Sequence, residues 1–204
     1  MGMGENLPIY KLLITEDDSD GIEWSYTAFV DKPATGELMI AFNAQPELKV
    51  EFKTISEEKR IVMGALMVAN LPILRRDEKT KQEFLVVLDP ENIDKALQKF
   101  FRKGNQKNVN EMHDPAKKVG GVYMYQAWII NSELGITTPK GFNEVPDGSA
   151  FGVFKVDNDE VWQKVKDGTY QGFSIEGKML QEPMPEPSDK EINDFISALE
   201  GSNL

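Results

Sequence analysis

No cysteine occurs anywhere in the 204 residues. That excludes disulfides, zinc-thiolate sites, iron–sulfur clusters and thiol nucleophiles together, and leaves nucleophilic chemistry to Ser, Thr, Lys or a carboxylate. Long apolar runs are also missing: none reaches the roughly 18 residues a membrane helix needs. The opening MGMGENLPIYK lacks the charged-then-apolar order of a signal peptide, and Asn6 falls where a myristoylation motif wants Ser or Thr. The expectation is a soluble, non-secreted protein with no membrane partner.

Basic residues are outnumbered, 23 Lys and Arg against 34 Asp and Glu, for a net charge of −11. Polyanion affinity rests on Lys and Arg displacing counterions, so no nucleic-acid partner is expected and proteins are the natural partners. LRRDEKTK (74–81) is the main basic exception, diluted by Asp77 and Glu78, and it reads as a solvated turn. The sequence also lacks a Walker glycine loop, a GxSxG elbow, an HExxH motif and EF-hand spacing. EDDSDG and DEKTKQE are carboxylate-rich but read as solvated turns, so no metal site is expected there.

What is present is 40% hydrophobic and 28% charged, enough for one globular domain with a real core. Up to about residue 88 the pattern is strand-like. IYKLLIT, IEWSYTAFV, ELMIAF, LKVEFKTI, RIVMGALMVA and EFLVVL are separated by turn formers such as DDSDG, DKPATG and NLP. Closely spaced strands of this kind predict a barrel or a strongly curved sheet. The period then changes. DPENIDKALQKFFRKG has a capping Asp89, Pro90 at the first helical position, and Ile93, Ala96, Leu97, Phe100 and Phe101 on one face, predicting a helix over 90–103 with its Phe pair packed on the sheet.

Strands are expected at GVYMYQAWII (121–130), AFGVFKV (150–156) and TYQGFSIEGKML (169–180), with a short helix in DNDEVWQKVKDG and a long polar loop between the first two strands. QEPMPEPSDK is then a stiff linker. SDKEINDFISALEG opens with a capping box at Ser188 and Glu191 and carries an apolar stripe, predicting a terminal helix over 188–200 that docks on its own domain or on a neighbouring chain.

Histidine is the scarcest ionisable residue. The only one, His113, sits in NEMHDPAKKVGG (110–121), in a polar connection between the helix and the next strand. A lone histidine is often a structural, hydrogen-bonded ring. Scaffolded loops, however, are where reactive groups are presented, and imidazole is the side chain that exchanges protons near neutrality. With no thiol available, its natural partner is a hydroxyl, and Ser174 in QGFSIEG is the suggestive one. Gly172 and Gly177 bracket it and allow a bulge or close approach of another chain. Read from its local sequence alone, Ser174 is first a strand serine flanked by a bulge.

Taken together, AFVDKPATGELMIAF, IVMGALMVANLPILRRDE, EFLVVLDPENIDKALQKFFRKGNQKNVNEMHD, VGGVYMYQAWII and TTPKGFNEVPDGSAFGVFKVDNDEVWQKVKDGTYQGFSIEG resemble the XkdF-like phage prohead serine proteases. That group is related to the herpesvirus assemblin-type proteases. The resemblance runs in order over about residues 24–177, with MHD and GFSIEG its most diagnostic parts. It implies an α+β, herpesvirus-protease-like fold, a curved antiparallel sheet or barrel with helices around it. The implied organisation is a protease-like β-barrel domain over 1–181 and a Pro-rich linker with an amphipathic helix over 182–204. The implied activity is a serine endopeptidase with no cofactor, Ser174 as nucleophile and His113 as general base. Its substrates would be scaffold and major capsid proteins inside an assembling procapsid in the host cytoplasm. Self-association into a homo-oligomer is left open.

One position departs from that pattern. Where the group carries Glu-Ser-Trp, this chain reads Gln126-Ala127-Trp128. The glutamate's implied role is to orient the histidine, and an amide cannot stabilise an imidazolium as a carboxylate does. In the Ser-His-Asp template an Asp-to-Asn change lowers turnover by about 10⁴-fold. The third site position is therefore expected at Gln126 first, then Glu176, which shares a strand face with Ser174 at i, i+2, then Asp114, with Glu111 a further substitute. The alternative expectation is a weak or inactive protease-derived procapsid assembly protein.

Overall fold

The computed structural model describes residues 7–31, 51–77 and 79–185. In chain order its strands are β1 (Ile9–Leu13), β2 (Glu23–Val30), β3 (Lys53–Ser56), β4 (Ile61–Met67), β5 (Ile73–Arg76), β6 (Glu83–Val87), β7 (Val109–Glu111), β8 (Asp114–Lys118), β9 (Val122–Ile129), β10 (Ala150–Val156), β11 (Gly172–Lys178) and β12 (Leu180–Pro183). The helices are α1 (Pro90–Arg102) and α2 (Asp159–Lys166).

The strands form three four-stranded sheets, ordered β12-β1-β6-β5, β3-β4-β10-β9 and β11-β2-β7-β8. The second is antiparallel throughout. The first and third are mixed, since β1 runs parallel to β6 and β2 parallel to β7. The fold is α+β as expected; of the expected curved antiparallel sheet or barrel, no closed barrel is found among the described residues, and two of the three sheets are mixed rather than antiparallel. Parallel pairs need a long crossover. In this chain α1 supplies part of it, since the path from β2 to β7 runs through that helix.

α1 forms where its period and caps predict. Asp89 accepts from the Asn92 backbone N–H, Pro90 stands at the first turn, and Gly104 takes a left-handed φ of 73° just past the end. Ile93, Ala96, Leu97 and Phe100 are buried. Phe100 stacks on Trp24 of β2 with centroids 3.8 Å apart, and full burial of such a ring contributes about 1.5–3 kcal/mol. Only half of the Phe pair packs inward, because Phe101 is 38% exposed.

A second aromatic knot fixes the third sheet to the second. Phe173 of β11 lies 5.2 Å from Phe29, 5.1 Å from Phe52 and 4.6 Å from Phe154, centroid to centroid. At Gly64 a Cβ would meet Phe52 Cβ at 2.9 Å, so β4 approaches this knot as closely as glycine allows.

Three further expectations change. Residues 74–76 of the basic stretch belong to a strand rather than a turn, β5 pairing with β6 from Ile73↔Val86 to Arg76↔Glu83. The polar connection holding His113 is a hairpin, β7 to β8. The strand ending the domain crosses the 181/182 boundary, because Gln181, Glu182 and Pro183 pair with β1. ELMIAF (37–42) and the helix expected over 188–200 lie outside the described residues.

Candidate active site

His113 is presented by strain. Glu111 and Asp114 face each other across the hairpin, leaving Met112 and His113 as a two-residue turn. Their φ values are +51° and +58°. Positive φ at both central positions is what a type I′ hairpin turn requires, and Asn-Gly normally supplies it. Non-glycine residues in such conformations cost on the order of 1–3 kcal/mol each and persist where the surrounding structure holds them. Here the Met112 N–H donates to Phe29 O at 3.1 Å. Glu111 accepts from Lys164 of α2 at 2.9 Å, a bond that raises the Lys164 pKa.

Ser174 is presented by a regular stretch of β11. Phe173↔Phe29, Ser174↔Ala28, Ile175↔Thr27 and Glu176↔Tyr26 pair in sequence, and the register shifts only between Glu176 and Gly177. Phe173 therefore points into the aromatic knot while Ser174 and Glu176 share the opposite face. The bulge demands glycine, because a Cβ at Gly177 would collide with the Glu23 carbonyl oxygen. Gly177 thus lets the β2 backbone of the same chain come close at the bulge.

Glu176 and His113 meet. With its proton on Nδ1, the ring donates to Glu176 Oε1 at 2.8 Å, which leaves Nε2 as an acceptor. The His113 side chain is 46% exposed and that of Glu176 23%, whereas Ser174 is 5% exposed. All three line one cleft of about 1070 Å³. Among the described residues no hydrogen bond joins His113 to Ser174.

The remaining candidates for the third position are engaged elsewhere. Gln126 is exposed on β9 of the second sheet, paired with Val153, and is not among the residues lining the cleft. The Asp114 carboxylate accepts from the Ala116 N–H at 2.9 Å, folding onto its own strand. Glu111 is held by Lys164. Of Gln126, Glu176 and Asp114, Glu176 is the one that hydrogen-bonds the imidazole among the described residues; β9 belongs to another sheet, and Asp114 bonds within its own strand.

One residue escaped sequence reasoning. Asn110 is 1% exposed, its amide oxygen has no hydrogen-bond partner, and it stands in the cross-strand row Ser174–Ala28–Asn110. Directly opposed residues project to the same face, so a small Ala28 separates the serine from a buried amide. The only available signal was its place three residues before His113.

Among the described residues no group of three or more His, Asp and Glu could hold a metal ion, and no helix is long and apolar enough to cross a membrane.

The comparisons with curated proteins and with solved structures give no match. A family match is found over residues 49–181, well over half of the chain, and it contains His113, Ser174 and Glu176. The match begins after the first of the resembling segments, so AFVDKPATGELMIAF lies outside it. By that match the chain belongs to the phage serine protease family described as "Putative phage serine protease XkdF".

Proposed function

We propose that the protein is a serine endopeptidase of phage prohead maturation, with Ser174 as nucleophile, His113 as general base and Glu176 orienting the imidazole. The observation that carries this reading is the His113–Glu176 hydrogen bond in the cleft that Ser174 also lines. Glu176 fixes the proton on Nδ1 and leaves Nε2 to take the Ser174 proton. The serine Oγ then attacks a scissile carbonyl, and the imidazolium gives its proton to the leaving amine as the C–N bond breaks. Water, deprotonated by the same ring, attacks the ester and releases the second fragment, regenerating serine. In this reading the exposed imidazole closes onto the buried hydroxyl when substrate binds, as catalytic hydrogen bonds that are long in unliganded sites commonly tighten with substrate.

The substrates in this reading are the scaffold and major capsid proteins, cut inside the assembling procapsid in the host cytoplasm. No cofactor takes part. Purified protein incubated with the scaffold and capsid proteins of the same particle should cut them at defined bonds, and Ser174→Ala should not. Intact substrates with both forms would overturn the assignment.

A second reading, a weak or inactive protease-derived assembly protein, draws on one observation: no hydrogen bond links His113 and Ser174 among the described residues. It predicts that Ser174→Ala particles assemble normally with uncut scaffold in wild type and variant alike.

A further inference from the structure

Part of the basic stretch LRRDEKTK of this acidic chain ends up at the cleft. β5 is the outer strand of the first sheet, and Arg75 and Arg76 line the same cleft as Ser174, His113 and Glu176. Register explains what they stand beside. Ile73 pairs with Val86 and Arg75 with Phe84, and Tyr10 pairs with Val86, which puts Leu12 on that same face. One face of the first sheet therefore shows Leu12, Phe84, Val86 and Ile73 to the cleft, with Arg75 continuing the row and Lys178 on the β11 side.

Charge at this place runs against the molecule. The chain carries −11 overall, yet the cleft walls hold the cations Arg75, Arg76 and Lys178 against the carboxylates of Asp31 and Glu176, the latter bonded to His113. A cleft with low-dielectric walls focuses the field of such a cluster on whatever enters it. Backbone carbonyls hold both guanidinium groups in place: Arg75 Nη1 donates to Leu74 O at 3.1 Å and Arg76 Nε to Lys81 O at 3.2 Å. A guanidinium offers five N–H donors in a planar fork that matches a carboxylate bidentately. Among the described residues β5 has a strand neighbour on one side only, which suits an extended peptide laid along its edge.

We propose that the cleft selects extended peptides carrying an acidic side chain close to the scissile bond, read by Arg75 on the cleft-facing row of β5 and by the charge of Arg76 beside it, with a neighbouring apolar side chain seated on Leu12, Ile73 and Phe84. The proposal rests on the protease reading, and its test separates the two. The wild-type protein digests a diverse peptide library, and the cut sites are sequenced by mass spectrometry. Enrichment of Glu or Asp of about tenfold over Gln or Asn at one position near the cut is expected, the scale of one charge-assisted hydrogen bond. Arg75→Gln/Arg76→Gln should abolish the enrichment, and Arg75→Glu/Arg76→Glu should turn it toward Lys and Arg. Arg75→Lys/Arg76→Lys should keep the preference at reduced strength, which shows that charge rather than folding is read.

Cutting without an acidic preference overturns the proposal and leaves the protease intact. If the wild type cuts nothing, binding decides. Fluorescence anisotropy of Ser174→Ala with a labelled acidic peptide pool should then weaken about tenfold on adding Arg75→Gln/Arg76→Gln. Equal binding overturns the proposal, and weakened binding upholds the groove while the protease assignment falls.

Discussion

His113 Nδ1 and Glu176 Oε1 lie 2.8 Å apart across 63 residues of sequence. Two unrelated local devices produce that contact: a two-residue turn with both φ values positive, and a strand that stays in register until the bulge at Gly177.

That contact sets the first prediction. Glu176→Gln should lower kcat by about 10⁴-fold, the effect of replacing the orienting carboxylate in the Ser-His-Asp template, with little change in KM. Gln126→Ala, on another sheet, should leave both parameters within about twofold. Steady-state kinetics on a cleaved peptide checks both. Equal losses in the two variants would contradict the assignment of Glu176.

The turn makes a prediction about stability. Met112 has a φ of +51° and is exposed, so Met112→Asn removes left-handed strain on a residue type that resists it. The variant should be more stable by about 1 kcal/mol in urea unfolding. A loss of stability would mean that Met112 packing outweighs its backbone strain.

Gly177 is expected to be intolerant. A Cβ there strikes the Glu23 carbonyl, which is backbone and has no rotamer to yield. Gly177→Ala should destabilise the fold by roughly 1–3 kcal/mol and, by shifting the bulge, pull Glu176 off the imidazole. Denaturant midpoints and kcat should therefore fall together, whereas Gly120→Ala, with nothing near its Cβ position and no positive φ, should leave both unchanged.

Acid stability follows from the loop that α1 holds. Asp20 has its pKa lowered to about 2, first by the Thr15 hydroxyl, then by the Ile22 N–H and by Lys99. Lys99, 1% exposed, also donates to Thr15 O and Asp17 O. A depressed carboxylate stabilises the fold above its ordinary value of 3.8, and the contribution disappears as pH falls through about 2. The stability gap between wild type and Asp20→Asn should be constant from neutrality to about pH 4 and shrink between about pH 4 and pH 2. A gap that stays constant to pH 2 would contradict the role of this carboxylate.

The legible parts of the sequence were those governed by local periodicity. α1 with its Asp89 cap, β10 over 150–156 and the glycine-flanked Ser174 strand could be read from neighbours within a few residues. The hairpin at 109–118 could not, because Met-His is a poor advertisement for a type I′ turn and only tertiary contacts hold it there. β5 was hidden for a related reason. Arg75 and Arg76 read as solvated, and their strand exists because β6 supplies a pairing edge. The choice between a barrel and a curved sheet was open in the sequence because short strands fix local spacing and leave the pairing partners open. Which of Gln126, Glu176 and Asp114 reaches the imidazole depends on tertiary placement that no window of the sequence contains: β9 joins another sheet, and Asp114, in the same sheet as Glu176, turns its carboxylate to the Ala116 N–H.

The central claim is that Ser174 is a nucleophile activated by His113. Reaction with a fluorophosphonate, followed by peptide mass spectrometry, reads it directly. A single adduct at Ser174 in the wild type, absent in His113→Ala, is the expected result. An unlabelled Ser174 in a folded wild-type protein, or equal labelling in His113→Ala, would contradict the account.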